Sequence, residues 1–322
     1  MQMRHVGKSG LKVTEISFGG ASIGNLYRKI SDEDAREVLN YAWSRGIRFF
    51  DTAPRYGRGL AEARLGQFLR NKDRQDYVIS TKVGRVLSSG IEMSEADGFI
   101  APLPNNIGYD YSGDGIEAAF EQSCERLGTS MIDILYVHDI GELTHGPVEN
   151  ARHMKDFLGS GFERLQQLKA SGRIRAFGLG VNENEVCLEV MNHGYIDVIL
   201  LAGRLTLLDR SAEDALISRC VEAGTSLVLG GIFNSGILAI GPVEGATYDY
   251  LPASDEILDQ VRDLQTRAAE YGIPLATAAL HYASRHSAVA SVLIGTAKVS
   301  SLKRNLDALS TQLPDNIDEL FD

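Results

Sequence analysis

The chain has 322 residues, 44% of them hydrophobic and 23% charged, a balance that supports a large buried core and excludes a disordered or collagen-like polymer. Its formal net charge of −11 excludes a general attraction to nucleic acid or anionic membrane, so any bound phosphate must be met by a local basic site. Cys124, Cys187 and Cys220 are odd in number, widely spaced and without a C-x-x-C pair, which argues against a disulfide framework or a zinc site. Residues 1–30 carry no basic segment followed by an apolar stretch, and no apolar run approaches the ~20 residues of a membrane helix. The expectation is a soluble, cytoplasmic protein that acts on a small molecule, with an oligomeric state the sequence leaves open.

Met3 to Val6 and Leu11 to Val13 flank Gly7-Lys8-Ser9-Gly10, the pattern of a β-hairpin with a glycine-containing turn, suited to plug the bottom of a barrel. Beyond it, β-rich runs alternate with helical periodicity. Strands are predicted at Glu15 to Phe18, Phe49 to Asp51, Tyr77 to Lys82, Ile132 to Val137, Ala176 to Gly180, Val198 to Leu201, Ser226 to Leu229 and Val292 to Ile294. Helices are predicted at Asp32 to Ser44, Ala61 to Asn71, Ile116 to Leu127, Phe162 to Ser171, Glu183 to Asn192, Ala212 to Ala223, Asp255 to Tyr271 and Ala276 to Arg285. This alternation marks βαβ units on a parallel sheet, and eight of them make an α/β fold of the (β/α)8 TIM-barrel type, a single domain over residues 1–322. Two connections, 83–115 and 139–161, read as long loops, which in a barrel belong to the active-site face when they follow strands.

An open doubly wound sheet would instead need a glycine-rich phosphate turn. Gly178-Leu179-Gly180 has Glu183 in place of the third glycine, Gly57-Arg58-Gly59 has Glu62 there, and no G-x-x-x-x-G-K occurs. A dinucleotide must therefore bind by another route.

Asp51 closes the second predicted strand and Tyr56 follows in its loop; Lys82 and His138 stand at the ends of the next two strands. In a barrel these four converge on the C-terminal mouth. Each alone has a bland reading: the aspartate as a helix cap, the tyrosine as a loop anchor, the lysine as a surface charge, the histidine as a core residue. Together they suit hydride transfer to a carbonyl, which requires a proton donor and a group to stabilise the forming oxyanion. Tyr56 and His138 fit those roles, Lys82 would lower the tyrosine pKa, and Asp51 would keep the lysine charged. The seven histidines show no grouping with carboxylates that a metal hydrolase would want, so no metal is expected.

In this order and setting, Asp51, Tyr56, Lys82 and His138 resemble the tetrad of the aldo-keto reductase family. Gly7 to Val13, Phe18-Gly19-Gly20, Gly172 to Gly178 and Ile294-Gly295-Thr296 share the resemblance, which runs from about residue 3 to residue 310. It implies NAD or NADP extended across the barrel mouth, with the nicotinamide near the tetrad. Of the usual Ser-Asn pair after the fifth strand, Asn182 survives, and Ala202 stands where a glutamine is usual. The run Gly230-Gly231-Ile232-Phe233-Asn234-Ser235-Gly236 resembles the loop that folds over the pyrophosphate, an ordinary βα turn being the alternative. Gly295, Thr296 and Lys298 lead into the helix of Asn305, whose start can bind phosphate through free N–H groups. Ser301 stands where many NADP-specific relatives carry arginine, which implies NAD, while Lys298 leaves NADP open.

Gly180 to Glu183, Ala202 to Arg204 and Gly230 to Leu238 are most similar to the family branch of D-threo-aldose 1-dehydrogenase, L-fucose dehydrogenase and pyridoxal 4-dehydrogenase. That implies oxidation of an aldose, or a comparable cyclic hemiacetal, to a lactone, with Tyr56 as tyrosinate the base. A pyridoxal dehydrogenase or a general NADPH aldehyde reductase is the alternative within the family, and a cofactor-binding regulatory subunit the alternative of another class.

Overall fold

A computed structural model describes residues 1–321. Eight parallel strands, Ile16–Gly19, Phe49–Asp51, Val78–Val83, Ile132–His138, Ile174–Val181, Val198–Ala202, Ser226–Gly230 and Val289–Ile294, pair in chain order, and the eighth returns to the first to close a barrel. Every residue of the second, third and fourth strands is buried. Such runs are expected where one face of a strand packs inside the barrel and the other against a helix. Two apolar layers result. The larger lies between strands and helices; the smaller fills the barrel and includes Phe49, Val78, Ile134, Ala176, Val198 and Val228. The fifth and sixth strands approach closely at Gly178, where a Cβ would lie 1.7 Å from the Val198 carbonyl oxygen.

Met3–His5 and Lys12–Thr14 form the expected antiparallel hairpin, and its Val6, Leu11 and Val13 belong to the cluster inside the barrel. The N-terminal end is thereby sealed, and the polar strand ends are left at the other mouth. Local chemistry sets the surrounding helices. Ser31 accepts from the Asp34 N–H while the Asp34 carboxylate accepts from the Ser31 N–H, a capping box that starts Asp32–Ser44. Gly128, at φ 67°, ends Gly113–Leu127 in the left-handed conformation that glycine adopts without penalty. No helix among the described residues is long and apolar enough to cross a membrane.

The two segments read as long loops are structured. Within 139–161 lies the helix Glu142–Asp156, continued by a π-turn at Phe157–Gly161 into Phe162–Ala170. Gly146 and Pro147 look like breakers, but Gly146 takes φ 69° and the chain turns helical again at Pro147, a residue preorganised for a helix's first turn. Within 83–115, Arg85–Ser89 pairs antiparallel with Asn105–Tyr109, and Glu95–Ala96 with Phe99–Ile100. Phe99 also bridges to Leu26, so this segment walls the barrel mouth together with the connection after the first strand.

Leu11 is 2% exposed at the sealed end, so Leu11→Ala should cost about 2–5 kcal/mol of folding stability through the cavity it leaves. Urea unfolding measures this, and the turnover of the surviving folded fraction should be unchanged because the polar mouth is at the opposite end.

Candidate active site

The register of the second and third strands sets Asp51 opposite Ser80, and the Ser80 hydroxyl donates to Asp51 Oδ1 at 2.7 Å. Two residues on, Lys82 Nζ donates to Asp51 Oδ2 at 2.7 Å, to the Thr52 carbonyl at 2.8 Å and to Tyr56 Oη at 3.2 Å. An ammonium has three protons, and all three are used. Asp51 and Lys82 are 1% and 2% exposed. Tyr56 begins a tight turn in which Gly57 and Arg58 both take positive φ, and that turn leads into the helix Leu60–Leu69. His138 closes the fourth strand, its ring perpendicular to that of Tyr56 with centroids 6.2 Å apart. Sequence reasoning thus names four side chains that the fold brings together.

Burial drives the His138 imidazole well below its ordinary pKa, helped by the charges of Arg85, Lys82 and Arg55, so the ring is neutral and has one N–H to give. Its Nδ1 is buried without a hydrogen-bond partner, and Nε2 lies 3.4 Å from Asp139 Oδ2. For Lys82, burial disfavours the ammonium, but Asp51 and Tyr56 more than restore it and its pKa ends raised. Tyr56 departs from expectation. Burial lifts its hydroxyl above the usual value of a tyrosine, and Lys82 recovers only part of that rise against the opposing charge of Asp51. The lysine acts in the expected direction, but the cost of burying a phenolate outweighs it.

A cavity of about 720 Å³ opens over this group, lined among others by Tyr56, Lys82, His138, Asn182 and Ala202. Gly180 lines it without a side chain, and a Cβ there would sit 3.2 Å from the Tyr136 Cβ and 3.5 Å from Lys82 Cε. Asn182 lines it as expected. In the run 231–236, Gly231 and Ser235 are exposed and Phe233 is half-buried, whereas Ile232 is 2% exposed in the core and the Asn234 side chain is bonded to Thr206 Oγ1 at 2.6 Å and the Gly203 carbonyl at 3.2 Å. Gly295, Thr296 and Lys298 precede the helix Val299–Leu309, which carries Ser301 and Asn305 and has no side-chain cap on its first turn. Its free N–H groups fit a phosphate.

Four further residues carry roles that the sequence does not signal. Arg85 donates to Asp139 Oδ2 at 2.6 Å, and Tyr111 Oη donates to the His138 carbonyl at 2.8 Å; their signal was weak, because both lie in or beside a segment read as loop. Arg204, quoted only for its resemblance, ties three connections: it donates to the Asn182 carbonyl at 2.9 Å, to Asp209 at 2.9 Å and to Asp249 at 2.8 Å. Arg304, one turn beyond Ser301, reaches its hydroxyl at 3.3 Å and is a cation that the comparison of Ser301 with an arginine overlooked.

Lys82→Met should leave the Asp51 carboxylate buried without its counter-charge and cost about 3–5 kcal/mol, whereas pairing it with Asp51→Leu should recover most of that loss. Urea unfolding of the single and double variants near neutral pH decides; equal stability of the single variant and the parent would remove the ion pair from the account.

The aldo/keto reductase family model matches residues 15–319. The pyridoxal 4-dehydrogenase of Microbacterium luteolum is 38% identical over 98% of this chain and 94% of its own length. The D-threo-aldose 1-dehydrogenase of a Pseudomonas species is 34% identical over 95% and 92%. An aldo-keto reductase from Bacillus halodurans, solved in its holo form, superposes with a TM-score of 0.78 at 27% identity, covering 99% of this chain and 96% of that one. With this match, two dehydrogenases at more than 30% identity and the closed barrel, the chain belongs to the aldo/keto reductase family and is an NAD(P)-dependent oxidoreductase.

Proposed function

We propose that the chain oxidises an aldose of the L-fucose or D-threo type, or a comparable cyclic hemiacetal, to its lactone, with NAD as the cofactor and Asp51, Tyr56, Lys82 and His138 as the catalytic group. The observation that carries this reading is the ammonium of Lys82 bonded at once to Asp51 and to Tyr56 Oη beside a neutral His138. The similarity to D-threo-aldose 1-dehydrogenase and pyridoxal 4-dehydrogenase supports the substrate class. Three buried free cysteines are in keeping with a reducing cytoplasm.

Asn182 would hold the nicotinamide carboxamide, the backbone of 231–236 the pyrophosphate, and Gly295, Thr296, Lys298, Ser301 and Asn305 the adenosine end. The bound cofactor supplies the hydride acceptor. Tyr56, as tyrosinate, takes the proton of the anomeric hydroxyl while its C–H bond is broken and the C–O bond becomes a carbonyl. Lys82 stabilises that tyrosinate, and its charge is secured by Asp51, which is in turn held by Ser80. His138, neutral, donates its N–H to the same oxygen without competing for the proton. In the reverse direction Tyr56 donates, so one hydroxyl serves both.

Tyr56→Phe should lower turnover by about 10²-fold or more with the cofactor still bound; an unaltered turnover defeats the assignment. Because burial raises the Tyr56 pKa, its base form grows throughout the neutral and alkaline range. kcat/KM for hemiacetal oxidation should therefore climb about tenfold per unit from about pH 7 to about pH 10, while aldehyde reduction, which needs the protonated form, stays level. A flat oxidation profile, with chemistry shown to limit the rate, rules Tyr56 out as the base. Titrating both cofactors should favour NAD; a preference of about tenfold or more for NADP, or about 1.4 kcal/mol, would assign the 2′-phosphate to Lys298 or Arg304.

A further inference from the structure

Four cationic side chains line the cavity, and three are engaged. Lys82 is bound to Asp51, Arg85 to Asp139, and Arg58 to Asp97 at 3.2 Å and to the Asn105 carbonyl. The lining carboxylates are likewise taken: Asp97 and Asp139 by those arginines, and Glu183 by the Leu143 N–H at 3.1 Å. Arg55 is different. Its side chain makes no hydrogen bond or ion pair with any described residue, and its guanidinium lies over the Phe99 ring, 5.7 Å from the centroid. Phe99 packs in turn on Tyr56, with centroids 6.0 Å apart, so the free cation stands one ring away from the tyrosine that moves the proton. Its field also reaches His138, Tyr27 and Tyr250, which border the same cavity.

A chain of net charge −11 has many carboxylates with which to neutralise an arginine. This one is half-buried, anchored through an aromatic face and left with its donors unfilled. A planar guanidinium presents paired N–H donors that match a carboxylate or a phosphate, and partial burial strengthens the match relative to water. Stacking on Phe99 also limits the rotamers the side chain must give up when a ligand arrives.

We propose that Arg55 is a specificity-determining residue that binds an anionic substituent of the substrate, on the end remote from the carbon being oxidised, so that the enzyme prefers an acidic aldose, carboxylated or phosphorylated, over its neutral counterpart. This rests on the hemiacetal-dehydrogenase reading above. Nothing in the catalytic group requires it, since Tyr56 and His138 act on the reacting oxygen whatever the far end of the sugar carries.

The test measures kcat/KM with NAD for three probes: a neutral aldohexose, its 6-carboxylate and its 6-phosphate. The expected result is an advantage of about tenfold or more for at least one anionic probe, the size of one charge-assisted hydrogen-bonded contact, expressed mainly in KM and shrinking as salt is added. The two anionic arms decide between carboxylate and phosphate. Arg55→Gln should collapse the anionic-to-neutral ratio by about tenfold, and Arg55→Lys should keep part of it. A ratio taken within one variant is insensitive to a general loss of folded enzyme. A neutral aldose oxidised as well as the acids, or a ratio unchanged in Arg55→Gln, overturns the anion anchor and leaves the dehydrogenase reading standing. Failure to oxidise any sugar, alongside reduction of simple aldehydes, overturns both.

Discussion

One buried ammonium organises the mouth of this barrel. Lys82 Nζ contacts the Asp51 carboxylate, the Thr52 carbonyl and Tyr56 Oη, and a charge so deeply enclosed persists only if each proton finds an oxygen. Those oxygens come from the end of the second strand and the turn beyond it, and the lysine from the third. The closing of the barrel is what makes them neighbours: strands that pair in chain order deliver consecutive strand ends to one rim. The turn at Tyr56–Gly59, with left-handed backbone at three positions, is then fixed at both ends, by the lysine on one side and the following helix on the other.

The same burial has opposite consequences for two groups in that site, because their partners differ. Lys82 stays charged, since an anion lies within hydrogen-bond reach. His138 has the Asp139 carboxylate 3.4 Å away, but Arg85 already pairs with that carboxylate, and burial and the repulsion of Arg85, Lys82 and Arg55 act together to keep the ring neutral. A protonated histidine there would compete with Tyr56 as the acid; a neutral one offers the reacting oxygen a single N–H hydrogen bond and keeps its proton. The division of labour between the two groups follows from where the cations stand.

The strands were legible because each is a short, largely apolar run set between helical patterns, and polar residues at or beside the ends of three of them, Asp51, Lys82 and His138, carried the site as well. The hairpin was legible from the Gly7 to Gly10 turn. What escaped were features settled by tertiary contact. Residues 139–161 read as a loop, yet a helix interrupted at Gly146 runs through them, its beginning held by the Glu183 carboxylate accepting the Leu143 N–H. The Tyr56 hydroxyl rises in pKa because the fold encloses it, and enclosure leaves no mark in the residues flanking a tyrosine. Arg204 was visible as a letter in a motif, but its three partners lie in connections after the fifth, sixth and seventh strands, and no local spacing joins them.

That arginine gives the site its second organising element. By bonding the Asn182 carbonyl, Asp209 and Asp249, Arg204 couples the connection beside the cavity floor to the segment that carries Tyr250 over the opening. The Tyr250 N–H is held in addition by Ser235 Oγ at 2.9 Å, which links this segment back to the glycine-rich run after the seventh strand. The first element fixes the reacting groups from the second, third and fourth strands; the other gathers the connections from the remaining side of the mouth. Arg55 belongs to neither, and that independence is the physical reason it is free to read a substrate: its charge adds to the repulsion that keeps His138 neutral, but neither the catalytic group nor the clasp takes up the donors of its guanidinium.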